Sequence, residues 1–423
     1  MMKWALCVAV PLSTLLAACG SRGSSSSGST ATASAQASPV LPSHGAASPA
    51  PVARPATSFG AIAYSPDEKR SGYATRKATA KDARANAQSY CESASCKVVV
   101  DFHDECAFFA MGGPGKEGVG RAARPGDAEQ LALQECSAHG GKSCKVITWG
   151  CSLPGYDGQP SRDEWDLVEE ETTFAAEGGA TLAGRIIRPP GAGPFPLVVL
   201  NHGSPRDEAD RPTMTPAGLA AQARRFAVGG WAAAAMLRRG YGASTGGWAE
   251  SYGSCNGADY VKAGLAGASD IASTVRQLQK LPYVDRQRVV AAGVSAGGFG
   301  AIAFSSLEVP GVVAILNFAG GRGSQQADTV CSKDRLIAAM KGFGRTARVP
   351  TLWVYAENDH FFGPQLAQDL RGAYQASGGQ ASFVKAPSFG KEGHYLFSSE
   401  EGIPVWKPIV NAFLESQHLP VVR

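Results

Sequence analysis

One stretch near the middle of the chain constrains the fold more than any other: Arg288-Val289-Val290-Ala291-Ala292-Gly293-Val294-Ser295-Ala296-Gly297-Gly298-Phe299-Gly300-Ala301-Ile302-Ala303. An apolar run leads into a glycine-flanked serine, then into small residues. Gly293-Val294-Ser295-Ala296-Gly297 fits G-x-S-x-G and reads as strand, sharp turn and helix. A serine on such a turn has a strained backbone, and side chains two positions either side would collide with it or with neighbouring strands. Glycine removes both collisions. The serine oxygen is left exposed above the sheet edge, with the first N–H groups of the helix aimed at any negative charge that forms there.

A competing pattern overlaps it. Gly298-Phe299-Gly300-Ala301-Ile302-Ala303 matches the relaxed dinucleotide fingerprint G-x-G-x-x-A, which needs an acidic residue about 20 positions on, closing the next strand. The next apolar run ends Leu316-Asn317-Phe318-Ala319-Gly320-Gly321, without a carboxylate. No nucleotide is expected.

A chain of 423 residues, 44% hydrophobic and 18% charged, can bury a sizeable core. A net charge of +4 with no basic run gives no footprint for nucleic acid. Ten clustered cysteines point to an oxidising compartment.

The first residues supply a matching address. Met1-Met2-Lys3 is a positive start, and Ala5 to Ala18 is apolar but short for a bilayer. The run ends Leu16-Ala17-Ala18-Cys19-Gly20, which resembles the bacterial lipoprotein cleavage motif. The resemblance implies a signal peptide over 1–18, with Cys7 discarded in it, and a lipid on Cys19. An ordinary signal peptide is the alternative. With no aspartate in Gly20-Ser21, the resemblance implies outer-membrane sorting within the bacterial cell envelope. Residues 19–58, rich in Ser, Ala, Gly, Pro and Thr, read as a disordered tether with a reach of about 35 Å.

Residues 59–154 read as a cysteine-rich unit with an internal repeat. Ala83, Ala87, Cys91, Cys96-Lys97-Val98 and Cys106 are echoed by Ala128, Ala132, Cys136, Cys144-Lys145-Val146 and Cys151. Each copy reads as an alanine-rich helix ending at a cysteine, then a strand bounded by cysteines. The result is a small α+β domain stapled by three disulfides. Of the 15 connectivities six cysteines allow, the repeat favours Cys91–Cys96, Cys136–Cys144 and Cys106–Cys151. A metal site at His103, Asp104, Glu105 and Cys106 is the alternative, and the absence of a C-x-x-C pair counts against it. With Gly60-Ala61-Ile62-Ala63-Tyr64-Ser65 and Gly72-Tyr73-Ala74, the unit resembles a small domain of unknown function found in secreted bacterial proteins. Structural work or binding of an envelope partner is the expectation.

Beyond a polar hinge at 155–166, strand and helix patterns alternate from 167 to 423. Glu171 to Ala176 and Thr181 to Arg188 form an entry pair about Gly178-Gly179. Leu197-Val198-Val199-Leu200 reads as a strand buried on both faces. Leu219 to Val228 and Asp259 to Leu281 read as helices, the second with Val261, Leu265, Ala268, Ile271 or Ala272, Val275 and Leu278 facing the core. Trp231 to Leu237, Val289 to Val294, Val312 to Leu316, Thr351 to Tyr355 and Ala381 to Ala386 read as strands. Repeated βα units imply a mostly parallel sheet with helices on both faces.

A serine hydroxyl needs a base, and the base needs a third group to fix its tautomer. On this architecture the order is serine, acid, histidine. The strand from Thr351 runs into Glu357-Asn358-Asp359 at its carboxyl end, with Asp359 the favoured acid and Glu357 the reserve. Only His360, His394 and His418 follow the serine. His360 adjoins the acid and would point away, and His418 trails the last helix. His394, in the loop after the final strand, can reach between Ser295 and Asp359. The oxyanion donors are expected from the N–H of Ala296 and from Gly203-Ser204, in the His202-Gly203-Ser204 loop after the early buried strand. His202 itself is expected to shape the loop, and Tyr241 to serve as an extra donor or pocket wall.

With these elements in order, residues 167–423 resemble an α/β-hydrolase, and among these the dienelactone-hydrolase-like and prolyl-oligopeptidase-like serine hydrolases. The chain departs from the first in carrying Ser295 where dienelactone hydrolases use cysteine, and from the second in having no propeller domain. Cys255 and Cys331, left over once six cysteines are assigned, are expected to bridge the loop after Tyr241 to the insertion after Gly321. The expected function is an envelope-anchored serine hydrolase cleaving carboxylic esters, with neither metal nor cofactor. A peptidase of short peptides and a catalytically idle envelope binding protein are the alternatives.

Overall fold

The computed structural model describes residues 57–153 and 159–423. The expected signal peptide, Cys19, nearly all of the tether and the start of the hinge lie outside the described residues. Among those described, no helix is long and apolar enough to cross a membrane.

The small domain is built twice over. Its first half runs β1 (Phe59–Ser65), β2 (Arg70–Lys77), α1 (Ala80–Cys91) and β3 (Lys97–His103). Its second runs β4 (Cys106–Met111), β5 (Glu117–Ala122), α2 (Pro125–Ala138) and β6 (Lys145–Cys151). The sheets have matching orders, β2-β1-β3 and β5-β4-β6. Each repeat is therefore ββαβ: a hairpin precedes the alanine-rich helix, and the cysteine spacing gives no sign of it. The bridges are Cys91–Cys96, Cys136–Cys144 and Cys106–Cys151. With Cys106 so engaged, the alternative metal site loses its thiolate.

The stretch expected as a hinge is packed where it is described. Arg162–Glu164 forms a single helical turn. Trp165 is buried against Phe108 and Trp149 of the small domain, at ring separations of 5.1 Å, and Arg162 pairs with Glu129 at 3.1 Å. The polar composition of 155–166 hides one large aromatic anchor.

The remaining elements are β7 (Val168–Ala175), β8 (Thr181–Arg188), β9 (Phe195–Asn201), α3 (Ala220–Val228), β10 (Ala232–Met236), α4 (Tyr260–Leu278), β11 (Val284–Val294), α5 (Ala296–Phe304), β12 (Val312–Phe318), the short pair β13 (Ser324–Gln326) and β14 (Thr329–Val330), α6 (Lys333–Gly344), β15 (Thr351–Ala356), α7 (Pro364–Ala376), β16 (Ala381–Ala386) and α8 (Ile403–Ser416). Eight strands form one sheet in the order β16-β15-β12-β11-β9-β10-β8-β7. The six from β16 to β10 are parallel, and β8 and β7 run antiparallel at one edge. Two apolar layers cover its faces. One includes Ile271, Phe299 and Trp353; the other includes Phe226, Leu316 and Trp406.

The alanine run of β10 is a strand because it lies between β8 and β9, every residue buried, so tertiary packing overrides helix propensity. α4 buries Ala268, Ile271, Ala272, Val275 and Leu278 as expected, and its first turns correct the rest. Val261 and Leu265 are exposed, and Tyr260, Ala263, Gly264, Gly267 and Ala268 form the buried face of the first turns. Close packing against Phe299 and Phe343 selects the small residues rather than the most apolar ones.

Candidate active site

Ser295 stands at the junction of β11 and α5 with φ 56° and ψ −124°, a left-handed conformation costing about 1–3 kcal/mol for a residue with a side chain. Its surroundings hold it there. Its N–H donates to the Phe318 carbonyl (3.0 Å), and its own carbonyl accepts from Phe299 and Gly321. A Cβ on Gly297 would lie 2.2 Å from the Asn201 carbonyl oxygen, and one on Gly293 would lie 2.3 Å from that of Gly297. The two glycines of the motif are thus demanded by backbone crowding. As the first residue of α5, Ala296 has an N–H with no intrahelical partner.

β15 ends at Ala356, and Asp359 follows in the next turn, almost wholly buried. One carboxylate oxygen accepts from the N–H groups of Phe361 (2.8 Å) and Phe362 (2.9 Å). The other lies 3.1 Å from Nδ1 of His394, also buried. The residue is fixed from two further directions: the His394 backbone N–H donates to Glu392 (3.1 Å), and the imidazole ring stacks on Phe361 at 4.0 Å. Arg206 lies over the other face of this stack, 3.5 Å from the Phe361 ring.

The other acids and histidines are placed elsewhere. Glu357 is exposed and pairs with Lys385 at 2.9 Å. His360 is directed to Asp328 at 3.1 Å, and His418 is exposed.

The loop after β9 passes directly over the serine. A Cβ on Gly203 would lie 3.1 Å from Ser295 Cβ. His202 shapes this loop. Burial, aided by the neighbouring Arg238 charge, lowers its pKa to about 3, so it is neutral at pH 7. Nδ1–H donates to the Gly203 carbonyl (2.5 Å), and Nε2 accepts from the Arg238 N–H (3.1 Å). Tyr241 corrects expectation: it is fully buried, and its hydroxyl is engaged with Ser204 Oγ (3.0 Å) and Glu250 (3.1 Å). It braces the loop from behind and forms no wall of either cleft that opens on the serine.

Sequence reasoning missed the group beneath. Glu250 takes ion pairs from both Arg238 and Arg322, and all three are buried. Burial works to raise the Glu250 pKa, yet the two guanidinium charges outweigh it and hold it at about 2. Arg238 also donates to the His202 carbonyl at 2.8 Å, so the cluster fixes the loop over the serine. A signal existed: Arg238 directly follows the all-apolar run Ala232 to Leu237, where an arginine must be buried and must find a carboxylate.

Two clefts meet at Ser295. A cavity of about 630 Å³ contains His394 and Gly203 and has apolar walls including Met214, Leu219, Met236 and Leu237. A smaller one, about 220 Å³, contains Ala296 and is lined by Arg206, Arg211, Arg322 and Trp248. The Cys255–Cys331 bridge joins the two segments rimming the smaller cleft, and Cys331 N–H donates to the Gly323 carbonyl at 2.9 Å.

A strained serine at a sheet-to-helix turn and a buried acid–imidazole pair in adjoining loops define the α/β-hydrolase class. Residues 165–319 match the acetyl xylan esterase family (AXE1), and residues 59–151 match a domain of unknown function, DUF4189. The chain is an ester-cleaving hydrolase of carboxylesterase type that carries a DUF4189 domain at its N-terminal side. No curated protein matches it. Similar solved structures include an acetyl xylan esterase from Paenibacillus sp. R4 (17% identity, 59% of this chain and 84% of that one, TM-score 0.44). Another is the esterase Pf2001 of Pyrococcus furiosus (16%, 61% and 96%, 0.43). A third is the esterase Est2 of Thermogutta terrifontis with butyrate bound (18%, 59% and 95%, 0.44). Likenesses of this size carry no argument about substrate.

Proposed function

We propose that Ser295, His394 and Asp359 form the catalytic triad of an envelope-anchored esterase acting on short acyl esters. The observation carrying this reading is the buried His394–Asp359 pair in a cleft that also contains the strained Ser295. Ser295 Oγ attacks the ester carbonyl while His394 Nε2 takes its proton. Asp359 holds Nδ1–H and stabilises the imidazolium. The N–H of Ala296 and the Gly203–Ser204 backbone face the oxyanion. His394 then returns the proton to the departing alcohol, and water releases the acyl group by the same route. The match to acetyl xylan esterases, which spans the serine, and the small volume of the polar cleft both favour a short acyl group.

Hydrolysis of p-nitrophenyl acetate tests this. Ser295→Ala and His394→Ala are each expected to lower kcat by a factor on the order of 10⁴ or more with the fold retained. Full activity in Ser295→Ala would refute the assignment. For the anchor, Cys19 is proposed to carry the lipid and the Ser/Ala/Pro-rich tether to hold the enzyme clear of the membrane. Incorporation of labelled palmitate, lost in Cys19→Ala, is the expected result; equal labelling in the variant would refute it.

A further inference from the structure

The smaller cleft carries more positive charge than its surroundings neutralise. Glu250 is the shared partner of buried Arg238 and Arg322, leaving one guanidinium charge in excess. The adjacent Arg239–Asp270 pair (2.7 Å) leaves that excess unchanged. At the rim where the two clefts meet, Arg206 lines both, donates to Ser324 Oγ (2.8 Å) and has no carboxylate among its described partners. Arg211 pairs with the exposed Glu208 at 2.7 Å, yet its Nε is buried without a partner among the described residues. An uncompensated buried charge is costly unless an anion meets it.

His394 tells which part of the substrate enters this cleft. The leaving oxygen must face His394 to receive its proton, and His394 belongs to the large apolar cleft. The alcohol therefore lies there, and the acyl chain points past Ala296 into the arginine-lined cleft. We infer that the enzyme prefers esters whose acyl chain ends in a second, anionic carboxylate, that is, hemiesters of short dicarboxylic acids with an apolar alcohol. The inference rests on the triad assigned above. Chemically the cycle is unchanged: the acyl carbon exchanges its bond to the alkoxy oxygen for one to Ser295 Oγ. The alcohol leaves with the serine proton, and water then releases the dicarboxylate.

Three isosteric esters, followed by pH-stat, test it. Mono-n-butyl succinate and n-butyl butyrate differ only in carboxylate for methyl at the acyl end. The ester 4-(butyryloxy)butanoate carries the same change at the alcohol end. The wild-type protein is expected to favour the succinate hemiester over butyl butyrate by at least about tenfold in kcat/KM, the scale of one charge-assisted hydrogen bond. That ratio should fall several-fold in Arg322→Gln, and also in Arg206→Gln, whose exposed side chain can be lost without unfolding. Turnover of butyl butyrate with no preference for the hemiester would overturn the inference and leave the triad standing. So would a preference for the alcohol-side anion, or a ratio unmoved in Arg206→Gln. No turnover of any of the three would overturn both.

Discussion

Residues 59–151 and the sheet domain that follows meet the cost of ordering a chain in opposite ways. Each half of the small domain has only a three-stranded sheet and one helix; under each helix the buried cluster is rich in alanines and the bridged cysteines, and one further small cluster gathers Ile62, Tyr64, Val100, Phe102 and Phe109. Its ion pairs lie on side chains with substantial exposure, such as Arg70–Glu92 and Arg84–Asp101. The sheet domain has eight strands covered on both faces and a single described bridge. Left-handed residues occur in both, at Glu92 and Ser143 as at Ser295, but only the sheet domain, among the described residues, holds a buried cluster of charges like Arg238–Glu250–Arg322. A large core can hold buried charge at a site that needs it, whereas a small core has little to spare and depends on covalent staples.

The contrast can be broken at several points. The largest effect is expected at Asp359→Asn, which leaves the packing of the sheet domain intact while removing the group that fixes the His394 tautomer. A fall in kcat of about 10³ to 10⁴ with an unchanged melting profile is expected in steady-state assays beside calorimetry. Loss of stability in place of activity would show that the buried pair is structural.

Replacing Cys106 and Cys151 with serine should destabilise the small domain by about 2–5 kcal/mol in urea titrations. Esterase kcat/KM should change less than twofold. The same change at Cys255 and Cys331 should instead loosen the rim of the polar cleft and raise KM several-fold. If the two double variants behave alike, the division of labour is wrong.

Acid separates the domains more gently. His202 binds its proton far less readily in the folded chain (pKa about 3) than at its ordinary value of 6.5, so the unfolded chain takes up the proton first. Glu250, held at about 2, acts in the same direction below pH 4.5. Stability of the sheet domain should therefore be full above about pH 6.5 and decline as the pH falls toward 3. A urea midpoint that falls between pH 7 and pH 4, with a shallower fall in His202→Gln, is the expected result. A flat profile would contradict the neutral burial of His202.

Much of the sheet domain was legible because its signals are local. The serine turn, the buried run of β9 and the acid at the end of β15 each announce themselves within a few residues. The repeat gave the three pairings seen in the small domain: Cys91–Cys96 and Cys136–Cys144 recur at matching places, whereas Cys106–Cys151 links facing residues of β4 and β6 within the second half. What stayed hidden depends on distant contacts. Val261 and Leu265 look like core until Phe299 and Phe343 claim the small face of α4. Tyr241 looks like a pocket wall until Glu250, Ser204 and Trp248 take its hydroxyl. Arg322 and Glu250 are 72 residues apart, and nothing in either neighbourhood names the other.

The most direct test of the central assignment is covalent. Protein from residue 57 onward would be treated with a fluorophosphonate and the modified peptide mapped by mass spectrometry, with Ser295→Ala and His394→Ala alongside. One adduct on Ser295, absent from the serine variant and much slower to form in the histidine variant, is the expected result. A folded wild-type protein that takes no label, or takes it on another serine, would contradict an activated Ser295.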